Sequence, residues 1–165
     1  MDADTQAEGK VGTHFDAVRR SISEAISESG MEKYIDIEED PHWLSININS
    51  GMLFAKDSAS VLAASRPVIA RIAVALSNIN NYIRVRGYTD NTFIPNGIFR
   101  NSWDLSANRS VSVLEELEKA GIEPERMAVE AFGQFSNKYS NKTAAGRALN
   151  RKVVIAISRY AMERK

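Results

Sequence analysis

The sequence predicts an α+β domain in which one mixed sheet carries a helical layer, preceded by an amphipathic helix near the N-terminus. Three observations predict it. Apolar residues alternate with a two-residue period at Ile35 and Ile37, at Leu44, Ile46 and Ile48, at Ile83 and Val85, and at Val153, Ile155 and Ile157, the pattern of half-buried strands. Elsewhere the period is helical, as at Val11, Phe15, Val18, Ile22, Ala25 and Ile26. Finally, the first two strand-like runs are separated only by Glu39-Asp40-Pro41, which suits a hairpin, whereas helix-like runs separate the later ones.

Taken in order, residues 1–10 are polar with no apolar period, so burial cannot offset their ordering entropy and disorder is expected. A linker helix is expected over 11–33, with Gly30 as its stop. The domain proper then occupies 34–160, and the tail 161–165 should fray. After the hairpin, Phe54 reads as core, and a helix follows with apolar positions at Leu62, Ile69, Ile72, Ala73 and Leu76; Ser65 and Pro67 mark the start of its main part. Asn78 to Asn81 break the chain before the strand Ile83 to Gly87, whose other face carries Arg84 and Arg86. The next helix turns Ser110, Val113, Leu114 and Leu117 to the core and ends at Ala120-Gly121, where glycine fits a left-handed cap. Ser102 reads as its N-cap, and Asp104 complements the positive end of the helix dipole. Gln134 to Lys142 form a polar loop, expected to be loosely held, before a short helix from Thr143 to Asn150 and the last strand, Val153 to Ser158.

Composition narrows the function. A chain of 165 residues holds one domain with a sizeable core plus an appendage. Its 21 basic and 21 acidic residues cancel, which is unlike the positive field of a nucleic-acid binder, so no nucleic acid is expected as a partner. There is no cysteine, hence no disulfide and no thiolate metal site. His14 and His42 have no second histidine at ligand spacing, so no metal and no cofactor is expected. No apolar run is long enough to span a bilayer. Enzymatic readings find no support: there is no G-x-S-x-G elbow, no Gly-rich phosphate loop, and no pair of carboxylates nominated to flank a cleft.

The chemistry gathers between Gly87 and Arg109, at the junction of a strand and a helix, where polar side chains stand at the rim of a core. Asp90 offers a carboxylate just past the strand. Arg109 offers a planar guanidinium that can grip another carboxylate through two parallel hydrogen bonds. Spacing alone leaves two readings open: a structural ion pair between the two, or a site for a zwitterion. Phe93, Ile94, Ile98, Phe99 and Trp103 make this stretch apolar for a loop, which suits a flap packed on the domain; glycan stacking or a subunit contact at Trp103 is the other reading.

Gly87-Tyr88-Thr89-Asp90, then Leu105-Ser106 with Arg109 three residues on, then Gly146-Arg147-Ala148 and Asn150-Arg151, resemble the OmpA-like peptidoglycan-binding domain over roughly Trp43 to Ser158. The longer insert and the spelling Trp103-Asp104-Leu105-Ser106 look most like the periplasmic C-terminal domain of a flagellar stator B subunit, the MotB/PomB type. This resemblance implies an OmpA-like βαβαβ sandwich and non-catalytic binding of the peptidoglycan stem peptide, whose diaminopimelate presents an ammonium and a carboxylate on one centre. It places the ligand pair at Asp90 and Arg109, with Arg147 near the same pocket as a further ligand candidate. Thr89 and Asn91 either shape the loop or reach the ligand, and Asn150 and Arg151 mark a helix-to-strand junction, where Arg151 could instead pair with an acid across the sheet. It also implies a homodimer, a stator A subunit as partner through a membrane segment that this chain lacks, and a periplasmic location as part of an inner-membrane protein. The alternative is a general cell-envelope tether of OmpA or lipoprotein type with no motor role.

Overall fold

The computed structural model describes the backbone of residues 3–162 and the side chains of residues 15–162. The first helix, α1 (Ala3–Ser29), ends at Gly30, whose φ of 73° is the left-handed cap that glycine adopts without cost. Phe15, Val18, Ile22, Ala25 and Ile26 are buried, as their spacing requires. The helix begins earlier than Val11, so most of the segment read as disordered is helical: once a packed segment has nucleated a helix, each added residue closes a further hydrogen bond without a new nucleation cost. Met1 and Asp2 lie outside the described residues, as do 163–165 of the tail; Ala161 still belongs to the last strand.

The hairpin is β1 (Ile35–Glu39) and β2 (Trp43–Asn49), antiparallel, with Ile37 opposite Ile46. A one-turn helix, α2 (Ser50–Leu53), follows, and then a 3-10 turn leads into α3 (Arg66–Leu76). Ser65 precedes α3 without capping it, because its hydroxyl donates to the Met52 carbonyl at 2.6 Å. Next come β3 (Asn81–Tyr88), α4 (Ser102–Lys119), β4 (Met127–Gly133), α5 (Ala144–Asn150) and β5 (Lys152–Ala161). The sheet order is β1-β2-β5-β3-β4, antiparallel throughout except for the parallel pair β3 and β4. This is the expected mixed sheet, with β5 in its middle.

Helices α1, α3 and α4 cover the sheet face that carries Ile46, Ile83, Val85, Ile155 and Ile157. On the other face the residues of β5, Val154, Ala156 and Ser158, are buried too. The register explains it: β5 lies between β2 and β3, and Arg86 of β3 reaches over it to sit 4.6 Å from the centre of the Trp43 ring on β2. Small residues on the central strand leave room for this arch, which Glu130 of β4 holds from the far side at 3.0 Å.

One glycine fixes how closely α4 approaches the sheet. At Gly87, any Cβ would fall on the Ser106 carbonyl oxygen and the Ser110 hydroxyl. The helix therefore lies hard against β3 just where that strand runs into the Thr89-Asp90 turn.

Candidate functional site

Three segments meet at the end of β3. The first is the turn after β3, where the Thr89 N–H donates to the Gly133 carbonyl at 2.8 Å and the Asn137 amide donates to the Thr89 carbonyl at 2.8 Å. The second is the start of α4. Its N-cap is Asn101, not Ser102: the Asn101 side chain accepts from the Asp104 N–H at 2.8 Å, and Asp104 reaches back to the Arg100 N–H at 3.0 Å. The Ser102 hydroxyl is turned toward the end of β4 instead, where it accepts from Gln134 N at 3.3 Å. The third is the stretch from α2 to Ser58, which carries a residue in the left-handed region, Asp57 at φ 58°.

These segments enclose a cavity of about 640 Å³ lined by Thr89, Asp90, Arg109 and Arg151 among others. Asp90 and Arg109 are both buried, at 3% and 7% exposed, but they do not form an ion pair with each other. Asp90 Oδ1 accepts from both the N–H and the hydroxyl of Thr92, at 2.9 and 2.6 Å, while Oδ2 accepts from Arg151 Nη1 at 2.5 Å. Burial pushes the Asp90 carboxyl up, and these hydrogen bonds outweigh it, holding the group below the usual carboxylate range. Arg109 Nε donates to the Ser58 carbonyl at 2.9 Å and Nη2 to the Ala55 carbonyl at 3.5 Å, and the guanidinium lies 5.0 Å from the Phe54 ring centre. Burial draws its pKa down, opposed by the nearby negative charge of Asp57. Two of the five guanidinium donors are thus committed to fixing its position, and the others remain for an anion.

The remaining residues singled out in the sequence divide differently from expectation. Thr89 lines the cavity, and its hydroxyl donates to the Asp90 carbonyl at 2.9 Å, the loop-shaping role. Arg151 lines the cavity and is the acid's partner. Arg147 is not at the cavity: its guanidinium donates to the Asn141 carbonyl at 2.9 Å, because α5 turns it into the 134–142 loop. Asn150 also serves that loop, exchanging bonds with the backbone of Tyr139 in both directions and donating to Asn141 at 2.9 Å. With Asn137 accepting from Asn141 at 2.7 Å, three asparagines tie together a loop that had been expected to be loosely held. Asn91 is exposed in the turn and does not line the cavity, whereas the next two residues, Thr92 and Phe93, do.

The apolar insert is not the packed flap expected. Phe99 alone of the five residues is buried; Ile94 and Ile98 are 78% and 74% exposed, and Trp103 is half exposed, stacked on an equally open Phe135 at 4.4 Å between ring centres. Sequence reading also missed the third wall of the cavity, residues 50–58. No side-chain motif marks Ala55 and Ser58, because what they contribute to Arg109 is backbone carbonyl.

The described residues hold no group of acids and histidines placed to bind a metal ion, and none of their helices is long and apolar enough to cross a membrane.

Comparison with known proteins adds to this geometry. The OmpA family matches residues 53–151, a span that holds Asp90, Arg109 and Arg151 and leaves out α1 and the β1–β2 hairpin. Motility protein B of Bacillus subtilis (strain 168) is 27% identical over 142 residues, which cover 85% of this chain and 54% of that protein, so the chain spans about half the length of this relative. The cell wall anchor of the T6SS from Pseudomonas aeruginosa superposes with a TM-score of 0.76 at 27% identity, covering 86% of this chain and 97% of that one. The periplasmic domain of Helicobacter pylori MotB gives a TM-score of 0.70 at 25% identity, covering 75% of this chain and 78% of the other.

Proposed function

The chain belongs to the OmpA family, and from that premise we propose that it is a non-catalytic peptidoglycan anchor, the part of a flagellar motor stator that grips the cell wall. The observation that carries this reading is the cavity itself. It holds a carboxylate and a guanidinium, Asp90 and Arg109, both buried, both fixed by protein partners and not spent on each other. A small centre bearing an ammonium and a carboxylate satisfies both at once, and diaminopimelate in a stem peptide is such a centre. Each charge-assisted hydrogen bond contributes about 1.5–3 kcal/mol, so a single site is expected to bind at about micromolar affinity or weaker. A polymeric wall raises the effective affinity by multivalency.

In this reading the domain works in the periplasm as one of two copies in a dimer, coupled to a stator A subunit through a membrane segment of the whole protein. Fixing the stator lets reaction torque turn the rotor and not the stator. The similarity to Motility protein B and to the MotB periplasmic domain supports the motor role. A second reading, a wall tether with no motor role, is supported by the similarity to the T6SS cell wall anchor at 27% identity.

The test is co-sedimentation with purified sacculi. Wild-type protein should pellet with them, and Asp90→Ala should stay in solution while keeping a cooperative melting transition. Protein that never pellets would overturn wall binding in either form. Introducing Asp90→Ala into the full-length protein then separates the two readings, since only a stator anchor loses swimming.

A further inference from the structure

Ser50 is 2% exposed, and among the described residues its Oγ is the one buried side-chain nitrogen or oxygen that makes no hydrogen bond. The residue belongs to the wall of the same cavity as Asp90 and Arg109. Its backbone, by contrast, is fully used: the N–H donates to the Arg151 carbonyl at 2.9 Å and the carbonyl accepts from Phe54 N at 2.9 Å. A buried hydroxyl with no protein partner carries a desolvation cost that alanine at the same place would avoid. The partner that such an atom lacks in the free protein is one that a ligand brings.

We propose that Ser50 Oγ is a ligand-binding atom that accepts a hydrogen bond from the ammonium of the group seated in the cavity, alongside Asp90. This rests on the zwitterion reading given above. Two facts assign Ser50 to the ammonium and not to the carboxylate. Ser50 is joined through its N–H to Arg151, the residue whose guanidinium holds Asp90, whereas Arg109 is anchored at the other end of the same segment, on Ala55 and Ser58. Asp90 is also partly occupied: Oδ1 already accepts twice from Thr92 and Oδ2 accepts from Arg151. An ammonium carries three N–H donors, and a carboxylate so engaged cannot meet them all. Ser50 Oγ supplies a neutral acceptor, and one χ1 rotation moves it between staggered positions. A hydroxyl can donate as well as accept, so it is the position of Ser50 on the Arg151 and Asp90 side of the segment that assigns Oγ to the ammonium. Ser50 thereby becomes a residue that selects for the amine.

The test compares Ser50→Ala with wild type by NMR titration of the full chain at up to millimolar peptide, using two synthetic peptides. One is L-Ala-γ-D-Glu ending in diaminopimelate; the other ends in 2-aminopimelate, which keeps the side-chain carboxylate and lacks the side-chain ammonium. The expected result is about a 3- to 10-fold weaker affinity of Ser50→Ala for the first peptide, no change for the second, and a Tm at least as high as wild type. Equal affinity of variant and wild type for the diaminopimelate peptide would overturn the assignment. Equal losses for both peptides would do the same, by placing the hydroxyl on the carboxylate. A lowered Tm or a failure to fold would show that the fold itself uses the hydroxyl, again against the proposal. If Asp90→Ala loses the diaminopimelate peptide and Ser50→Ala does not, Ser50 alone is wrong. If wild type binds neither peptide nor sacculi, the zwitterion reading falls and takes this inference with it.

Discussion

Arg151 Nη1 donates to Asp90 Oδ2 at 2.5 Å, joining the first residue of the α5-to-β5 junction to the turn that follows β3. The Asp90 carboxylate is therefore already paired and already charged in the free protein. Arg151 remains 44% exposed on its side chain, so water screens the pair and its contribution to stability is small. Its consequence lies in geometry: with Thr92 holding the other oxygen, the carboxylate is fixed, and under the proposed function an incoming ammonium would meet a fixed acceptor.

Against burial, the hydrogen bonds from Thr92, and after them the Arg151 pairing, set a pH dependence. The folded-state pKa of Asp90 lies below its ordinary value of 3.8, so its stabilising contribution is complete above that value and is lost as the pH falls through the folded pKa. The Tm difference between wild type and Asp90→Asn should stay constant from neutral pH down to about 4 and close below it. A difference that already closes between about pH 7 and 5 would mean that burial dominates and the carboxyl is protonated much earlier.

Arg109→Lys keeps the charge and removes the fork. An ammonium cannot hold the Ser58 and Ala55 carbonyls in the geometry that the planar group does, nor present a parallel pair of donors to a carboxylate. Sacculus binding should fall by about 10- to 100-fold, the value of one lost charge-assisted hydrogen bond. Binding equal to wild type would leave Arg109 as a structural residue that only braces the 55–58 segment.

How far these residues could be read from the sequence follows from what each one uses. Asp90 and Arg109 stand in short side-chain patterns next to periodic elements, and the four alternating runs located β1, β2, β3 and β5 because sheets repeat every two residues, whereas β4 shows no clean alternation of buried and exposed residues. The burial of both faces of β5 was not legible, since it needs the position of β5 in the middle of the sheet and the arch of Arg86 over Trp43. Arg147 and Arg151 are four residues apart, one within α5 and the other at its C-cap, and spacing could not say which faced the cavity; the structure turns the first into the loop. Ser50 carries no motif at all. Its significance comes from a hydrogen bond that is not made.

Gly87→Ala should destabilise the domain although its backbone is not in the left-handed region, because the added methyl collides with the Ser106 carbonyl and the Ser110 hydroxyl. Overpacking of this kind costs about 1–3 kcal/mol. Since relief requires α4 to move away from β3, and Arg109 lies on α4, sacculus binding should weaken together with the Tm. An unchanged Tm would mean that the helix yields without cost, and that the close approach is not what positions Arg109.

The last prediction concerns α1, which we expect to open as its own unit. Its buried stripe, Phe15, Val18, Ile22 and Ile26, joins the core from one side only, and the helix lies outside the residues matched by the OmpA family. Ser21, Ser23, Ser27 and Ser29 give it low intrinsic helicity. The ion pairs that tie it down, Arg19 to Glu39 and Glu28 to Arg71, join exposed or half-exposed side chains and hold weakly. By contrast, β3 is paired along both edges, with β4 and β5, so its amides exchange only when the sheet comes apart. Local opening of α1 leaves the cavity built from residues 50–151 untouched, so under the proposed stator function the domain would unlatch its N-terminal helix and extend while still holding the wall. Hydrogen exchange should therefore run faster over Phe15–Ser29 than over Asn81–Tyr88. Ile22→Ala, a truncation that costs about 2–5 kcal/mol in a closed core, should accelerate exchange in α1 and leave β3 unchanged. Equal acceleration in β3 would mean that α1 unfolds only with the whole domain, and would remove it as a separable element.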